Sequence, residues 1–519
     1  MASNNVPTET NQRGSFGSNL GFLLSAIGSA VGLGNIWGFP YKMGKSGGFT
    51  FLLIYLALAV FVGFAIMLAE LALGRMTGMG PINAYKKLTK RFPAVGWLAI
   101  IAPALIMTFY SVLGGYCIYY IIINVGGLFH AMPDSSSFGY MITHPWVSIG
   151  VMVLFMIICW IINIGGVDGG IEKFNKVGMP ALFVMLVIVI IKALTMPHAV
   201  EGLKFMFKPG YAVEGGFIKE APNLISVLAT AGGQMFFSLS LAMGAMITYG
   251  SYLGKKENLP KNSAIIVVAD TCVALMAGLA VIPAAVANGI AQGTAVGDIR
   301  LNGPGLLFST LQDVFHNMGK LGAVFGIIFY VLVLLAAISS AISLIEAVSV
   351  TFIDRASAKG HEPKRFKTVT LVCIAITIVS CLVAADGLGE NGIAPWQLLK
   401  LDAETGIRGW NDCWLDFMDC WSEGLAMPIG AMLMSLIIGW EVKPQRLRAE
   451  IETGSKGGVF GFWAVCIKFI VPVVMCFISA GSIADYFGSA TIGYAVAIAL
   501  LLIYWAMTRC AGWLEESEA

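Results

Sequence analysis

The sequence predicts an all-α polytopic membrane protein with about twelve transmembrane helices. Hydrophobic residues make up 57% of the chain and charged residues only 12%, whereas about 25% of an ordinary soluble domain is charged. Apolar runs of about 20 residues, long enough to cross the hydrocarbon core of a bilayer, recur along nearly the whole length. Two of these runs are interrupted midway by glycines and polar residues. We therefore expect a lipid bilayer around the chain and no nucleic-acid partner.

The apolar runs give the approximate positions of the spans, and no linker or compositional break separates them into independent domains. A further apolar segment, residues 303–315, is too short to cross a bilayer and is predicted to form a re-entrant or surface helix. The connection 386–416 is the longest polar one and is expected to be extracellular. The predicted spans are residues 20–43, 49–74, 95–126, 146–165, 178–196, 223–252, 263–289, 321–354, 367–385, 417–440, 459–481 and 488–509.

The loops alternate in their content of lysine and arginine. Because cytoplasmic loops carry the excess of these cations, we predict a multi-pass protein of the cell membrane with both termini in the cytoplasm. Loop 127–145, on the opposite side, contains none, although Lys204, Lys208 and Lys219 also fall on that side. The cation-rich loops contain Arg75, Lys86, Lys87, Lys90, Arg91, Lys173, Lys176, Lys255, Lys256, Lys261, Arg355, Lys359, Lys364, Arg365, Lys367, Lys443, Arg446, Arg448 and Lys456.

The first span is broken by the stretch Gly28–Tyr41, which reads GSAVGLGNIWGFPY. A helix in lipid must satisfy its backbone groups internally, so three glycines (Gly28, Gly32 and Gly34) and Asn35 are costly in the middle of a span. Unwound backbone is tolerated at this depth where it lines a buried cavity, and its free carbonyls suit Na⁺ or a substrate ammonium. The interruption therefore indicates a transporter.

The sixth span is interrupted in the same way by residues 233–244, GQMFFSLSLAMG. Two broken spans separated by four others indicate an inverted repeat of five plus five helices, an architecture known from broken-helix transporters. We accordingly divide the chain into three parts. Residues 1–18 form a cytoplasmic tail, residues 19–440 form the transport core of spans 1 to 10, and residues 441–519 contain the last two spans and a cytoplasmic C-terminus.

A few polar side chains within spans are candidates for a cation site, because each is expensive in hydrocarbon. Asp270 in span 7 is either a structural carboxylate or a cation ligand. Glu70 and Glu346 either serve such a site or brace helices and cap opened backbone. The adjacent hydroxyls of Ser339 and Ser340 either bond to the preceding helical turn or supply hard oxygen ligands to Na⁺.

Several motifs in register closely resemble the neurotransmitter:sodium symporter family, in particular its bacterial sodium-coupled amino-acid transporters. The similarity runs from about residue 13 to the last spans. The motifs are GSAVGLGNIWGFPY, LAELALGR, GGIEKFNKVGMPALF, GQMFFSLSLAMGAMITYGSY and LLAAISSAISL.

This resemblance implies two sodium sites between the broken spans and spans 7 and 8. The first would be completed by the carboxylate of the substrate, whereas the second would contain only neutral oxygens. Ligands of the first site would be the Ala30 carbonyl, Asn35, Ser238 and Asp270. Ligands of the second would be the carbonyls of Gly28, Val31 and Ala336 and the hydroxyls of Ser339 and Ser340.

The resemblance also implies a site for a small amino acid. Its carboxylate would meet the N–H groups of Leu33 and Gly34 and the hydroxyl of Tyr110. Its ammonium would meet the carbonyls of Ala30, Phe237 and Ser238. Its side chain would be enclosed by Val31, Ile106, Ser240, Met243 and Leu344.

Gates on the two sides follow from the same resemblance. The inner gate would pair Arg13 with Asp354, assisted by Phe16 and Tyr252. The outer lid would consist of Tyr110 and Phe237. The family usually has an arginine where this chain has Gly38, so the outer ion pair with Asp419 lacks its usual cation. Our hypothesis is that the outer side closes mainly through the aromatic lid.

Asp270 occupies a position at which the chloride-dependent animal relatives carry asparagine. A built-in negative charge there implies that chloride is not required and that Na⁺ is the coupled ion. The predicted function is sodium-coupled import of a small neutral amino acid, aliphatic or hydrophobic, by alternating access. The alternatives are a symporter of another small amine or osmolyte, or a channel or sensor. No nucleophile–base pair or metal cluster indicates an enzyme, and the oligomeric state is left open.

Overall fold

The computed structural model describes residues 15–299, 301, 303, 305–359, 364–400, 411–455, 457–487 and 489–513. This part of the chain consists of helices and connecting loops, without a β-strand. Arg13, the predicted cation of the inner gate, lies outside the described residues.

Helices long and apolar enough to cross a membrane match the predicted spans in order. The first span is a bent pair, Asn19–Ala30 and Gly34–Lys45, with 45° between its halves. The sixth consists of Leu224–Ser238 and Ala245–Ser251. The unbroken spans are Phe49–Thr77, Val95–Phe129, Pro145–Ile164, Val167–Leu194, Leu259–Ala291, Lys320–Ala358, Arg365–Asp386, Trp414–Glu441, Val459–Ala484 and Thr491–Arg509.

The predicted start of span 5 at residue 178 is wrong, because the helix already begins at Val167. Its first turns are a π-helical segment, Val167–Glu172, and they carry charge. Glu172 is only 1% exposed, but it pairs with Lys176 at 2.7 Å and accepts a hydrogen bond from the Gly17 N–H at 2.8 Å. A paired charge can extend a helix beyond its apolar run, which hydropathy alone does not detect.

Each break has its own local feature, close packing at Gly32 in span 1 and positive φ angles in span 6. A Cβ on Gly32 would collide with the Ser340 hydroxyl and lie 2.5 Å from the Tyr110 hydroxyl. In span 6 the chain adopts positive φ at Ser240 (53°), Ala242 (57°) and Gly244 (70°), a conformation that opposes continuation of a right-handed helix. The opened backbone of span 1 therefore lies against spans 3 and 8.

Spans 3 and 8 pack along each other, and the first half of span 1 packs on spans 5, 7 and 8. Span 11 packs on spans 6, 10 and 12. The predicted non-spanning segment at 303–315 is confirmed: it forms the short helices Leu306–Thr310 and Leu311–Asn317, which pack on spans 7 and 8. The helical core is therefore built around the two broken spans.

Candidate sodium and substrate site

Spans 1, 6 and 7 meet at the carboxylate of Asp270. Asn35 Nδ2 donates to Asp270 Oδ1 at 2.7 Å and to the Asp270 carbonyl at 3.1 Å, and Ser238 Oγ donates to Oδ2 at 2.8 Å. All three side chains are fully buried. The structure thus brings together three of the side chains predicted for the first sodium site, and adds Tyr55, whose hydroxyl donates to Ser238 Oγ at 3.4 Å.

The chemistry of this cluster suits Na⁺. Its groups are a carboxylate, an amide oxygen and a hydroxyl, the hard oxygen donors that bind alkali and alkaline-earth cations. Asn35 Oδ1 also accepts a hydrogen bond from the Gly32 N–H at 3.0 Å, so the side chain holds the unwound backbone in place. Ala30, the predicted carbonyl ligand, is the last residue of the first half-helix.

A second cluster forms where the end of that half-helix faces span 8. Ser340 Oγ donates to the carbonyls of Ser29 at 3.0 Å, Gly28 at 3.4 Å and Val31 at 3.4 Å. Ser339 Oγ donates to the Val31 carbonyl at 3.3 Å and to the Ala336 carbonyl, one turn back, at 2.9 Å. All five residues predicted for the second sodium site therefore meet, and their oxygens are neutral and suited to a monovalent cation.

The predicted substrate groups lie between these clusters. The Leu33 N–H donates to the Tyr110 hydroxyl at 2.9 Å, and Ser240 Oγ donates to the Ser29 carbonyl at 2.7 Å. The ring of Phe237 lies 6.2 Å from that of Tyr110. The remaining predicted lining residues are buried and uncharged: Val31, Ile106, Met243 and Leu344.

Glu70, a residue of span 2, binds the opened backbone of span 6. Its Oε1 accepts the N–H of Ala242 at 2.7 Å, and the side chain is only 1% exposed. Of the roles left open for this residue, capping of unwound backbone is the one that the structure shows.

This contact predicts that Glu70→Ala will destabilise the protein and weaken substrate binding more than Glu70→Gln. Leaving a buried N–H without an acceptor costs about 1–3 kcal/mol, and the amide oxygen of glutamine can replace the carboxylate oxygen. Thermal unfolding and substrate binding of the purified variants would measure both effects. Equal behaviour of the two variants would contradict a capping role.

On the side predicted to face the cytoplasm, the aromatic residues predicted for the gate lie together. The ring of Phe16 lies 6.3 Å from that of Tyr252 and 5.5 Å from that of Tyr249. Asp354 Oδ2 accepts the Gly80 N–H at 2.7 Å. The pairing of Asp354 with Arg13 stays a prediction.

A second charged group on this side was not predicted. The Tyr252 hydroxyl donates to Glu346 Oε1 at 2.7 Å, and Arg365 Nη1 donates to the same oxygen at 3.1 Å. Arg365 Nη2 also donates to the Asn163 carbonyl at 2.8 Å. Glu346 therefore braces spans 6, 8 and 9, one of the two roles left open for it. The group was missed because the sequence does not show which side chains of these three spans meet.

On the side predicted to be extracellular, the space beside Gly38 is already filled. A Cβ there would lie 2.6 Å from Gln234 Oε1, and Gln234 Nε2 donates to the Gly34 carbonyl at 2.7 Å. The cation appears one turn later, where Lys42 forms a buried ion pair with Glu423. Lys42 Nζ lies 5.9 Å from the centre of the Phe237 ring.

This ion pair joins spans 1 and 10 above the aromatic lid. Glu423 packs against Gly233 of span 6, where a Cβ would lie 2.7 Å from its Oε1. Asp419, the predicted outer-gate residue, is one turn before Glu423 and lines the same cavity of about 400 Å³. The sequence did contain one sign of this ion pair that was missed, namely a lysine at residue 42 within an apolar span.

The family model described as "Sodium:neurotransmitter symporter family" matches residues 13–131 and 147–513. Among curated proteins, the uncharacterized sodium-dependent transporter YhdH of Bacillus subtilis is 32% identical over 468 residues, which cover 88% of this chain and 95% of that protein. The uncharacterized sodium-dependent transporter MJ1319 of Methanocaldococcus jannaschii is 28% identical over 474 residues, 89% of each chain.

Among solved structures, the crystal structure of MhsT in complex with L-phenylalanine superposes with a TM-score of 0.77 at 33% sequence identity. The match covers 91% of this chain and 100% of that one. The order of spans, the two breaks and the clustered oxygens agree with these relationships. The chain belongs to the sodium:neurotransmitter symporter family.

Proposed function

We propose that this sodium-dependent transporter imports small neutral amino acids, coupling their uptake to Na⁺ by alternating access. The observation that carries the proposal is the pair of oxygen clusters on either side of the unwound backbone of span 1. One contains the buried carboxylate of Asp270 and the other the hydroxyls of Ser339 and Ser340. Between them, backbone groups and the Tyr110 hydroxyl supply the polar contacts that an α-amino acid needs.

The pocket supports a hydrophobic side chain. The residues proposed to enclose it carry no formal charge, and a charged substrate side chain would be left unpaired there. The bound ligand of MhsT, L-phenylalanine, is a neutral hydrophobic amino acid and supports this class. Ala242 stands where the family usually has glycine, so we propose aliphatic substrates such as alanine, valine, leucine or methionine first.

Coupling follows from shared ligands. Na⁺ at the first cluster would contact the substrate carboxylate directly, so each ligand raises the affinity of the other reciprocally. Na⁺ at the second cluster would hold span 1 against span 8. Each charge moved through 100 mV contributes about 2.3 kcal/mol, so two ions can concentrate substrate strongly.

We further propose that chloride is not required, since Asp270 supplies a fixed negative charge within the first cluster. The two termini are assigned to the cytoplasm by the distribution of lysine and arginine. The division into an N-terminal tail, a transport core at 19–440 and a C-terminal part at 441–519 belongs to the same proposal.

The test is uptake by purified protein in liposomes, with labelled amino acids and an imposed Na⁺ gradient. We expect saturable, concentrative uptake of neutral amino acids that persists in chloride-free medium. If only another small amine or an osmolyte is taken up, that compound class replaces neutral amino acids as the substrate. Non-saturable flux that never exceeds equilibrium would indicate a channel, and binding without flux a sensor.

The second cluster predicts a specific effect of Ser340→Ala. Loss of its hydroxyl removes one oxygen ligand and the hydrogen bond from this side chain to the Gly28 carbonyl, so the Na⁺ concentration for half-maximal uptake should rise about tenfold, the equivalent of about 1.4 kcal/mol. Ser380→Ala is the matched control, because that buried hydroxyl bonds to Ser111 outside the cluster. An unchanged Na⁺ dependence in Ser340→Ala would contradict the assignment.

A further inference from the structure

A cavity of about 420 Å³ lies between the end of span 10 and the first half of span 11. It is separate from the proposed sodium and substrate site. Aromatic and apolar side chains line it together with two lysines. The lining residues are Gly439, Trp440, Lys443, Pro444, Gln445, Ala464, Val465, Lys468 and Phe469.

Lys468 is the informative residue, because it interrupts an otherwise apolar span. Its Nζ lies 4.3 Å from the centre of the Trp440 ring and 5.6 Å from that of Phe469. No carboxylate among the described residues lies within ion-pair distance of it. A lysine in a span normally pairs with an acidic group or reaches the headgroup layer. The cation–π contacts of Lys468 leave its ammonium able to bind an anion as well.

The surroundings hold this lysine at a fixed place. A Cβ on Gly439 would lie 3.3 Å from the Lys468 Cα, so the glycine lets the two helices approach closely. Trp440 Nε1 donates to the Tyr504 hydroxyl at 2.9 Å, which orients the indole ring under the ammonium. Both helices are π-helical at this point, over Ile437–Glu441 and Cys466–Ile470, a feature frequent at functional sites.

The lysine packs beside the last turn of span 10. Gly439 packs against it only two residues before span 10 ends at Glu441, and Trp440 is a residue type that concentrates at this level. On the side facing lipid, Val465 and Phe469 are 52% and 53% exposed. An acyl chain can therefore lie on these side chains while a phosphate reaches Lys468.

We propose that this cavity binds the headgroup of an anionic phospholipid from the cytoplasmic leaflet. The phosphate accepts hydrogen bonds from Lys468, with Lys443 on the rim adding positive potential, and the acyl chains lie along Val465 and Phe469. Basic pockets between spans on this side of a membrane are suited to such headgroups. The lipid bridges spans 10 and 11, which pack on each other through Gly439.

The test is native mass spectrometry of the detergent-purified full chain titrated with phosphatidylglycerol or phosphatidylcholine. We expect tighter binding of the first phosphatidylglycerol, and a loss of about fivefold in that affinity for Lys468→Gln, the effect of one cation at a charged headgroup. Lys468→Arg should retain binding, which separates loss of charge from misfolding. Lys367→Gln is the matched control, since that exposed lysine begins span 9 on the same side.

Three outcomes would overturn the proposal. Equal binding of the two lipids by the wild type would show that only the apolar wall is used. An unchanged phosphatidylglycerol affinity in Lys468→Gln would remove the lysine from the site. The third outcome comes from adding excess inorganic phosphate to the lipid-bound protein. Failure of phosphate to displace the lipid supports a phospholipid site, whereas full displacement shows a site for free phosphate instead.

Discussion

Replacing Asp270 with asparagine is expected to raise the Na⁺ concentration for half-maximal uptake more than tenfold and to make uptake depend on chloride. For unit charges about 4 Å apart at an effective dielectric constant of about 20, the interaction energy is about 4 kcal/mol. Loss of a third of this energy already corresponds to about a tenfold change in affinity. Asparagine has the same size as aspartate and keeps one oxygen ligand. The change in Na⁺ dependence therefore measures the contribution of the negative charge.

The measurement is Na⁺-dependent uptake in liposomes, with chloride or with an impermeant organic anion. The matched control is Glu441→Gln, which removes a carboxylate that accepts from the Thr89 hydroxyl at 2.7 Å at the end of span 10. Chloride should increase uptake by Asp270→Asn only. Wild-type uptake that itself requires chloride would contradict the proposed fixed charge.

Reversing one charge of the outer ion pair, by Lys42→Glu or Glu423→Lys, is expected to abolish turnover while substrate binding persists. Breaking a buried ion pair costs about 3–5 kcal/mol, and two like charges would then oppose the approach of spans 1 and 10. The combined exchange Lys42→Glu with Glu423→Lys should restore part of the uptake. Asp419 beside the pair prevents full recovery, because its carboxylate repels a glutamate at residue 42.

The readouts are the maximal uptake rate and equilibrium substrate binding, measured separately. The control pair is Lys208 with Glu214, whose side chains are 48% and 60% exposed. Exchanging its charges should change uptake less than twofold, as expected for a surface ion pair worth about 0–1 kcal/mol. A double exchange no better than either single variant would show that the pair does not close the outer side.

Asp419→Asn provides a companion test. We expect nearly unchanged uptake, because the cation of this chain pairs with Glu423 rather than with Asp419. A collapse of uptake would place Asp419 in the outer gate, as its position in the family suggests. It would also show that the aromatic lid of Tyr110 and Phe237 and the Lys42–Glu423 pair are insufficient to close this side.

Much of the architecture was predictable because the bilayer restricts it. Lipid offers no hydrogen bonds, so each spanning run must be helical and about 20 residues long. The same restriction made the glycines of span 1 and the polar residues of span 6 informative. The start of span 5 was missed because Glu172 is paired and can be buried within a helix, which a hydropathy pattern cannot show.

The sequence by itself determined the spans, the two interruptions and, through its motifs, the family and a set of site residues. Only the tertiary structure decided which side chains from distant spans share a contact. It paired Lys42 with Glu423, set Glu70 beneath the opened backbone at Ala242, joined Glu346 to Arg365, and placed Lys468 on Trp440. The physical reason is that local sequence sets where a helix forms and breaks, whereas a buried charge finds its partner through the packing of different helices, which for Lys42 and Glu423 joins residues 381 positions apart.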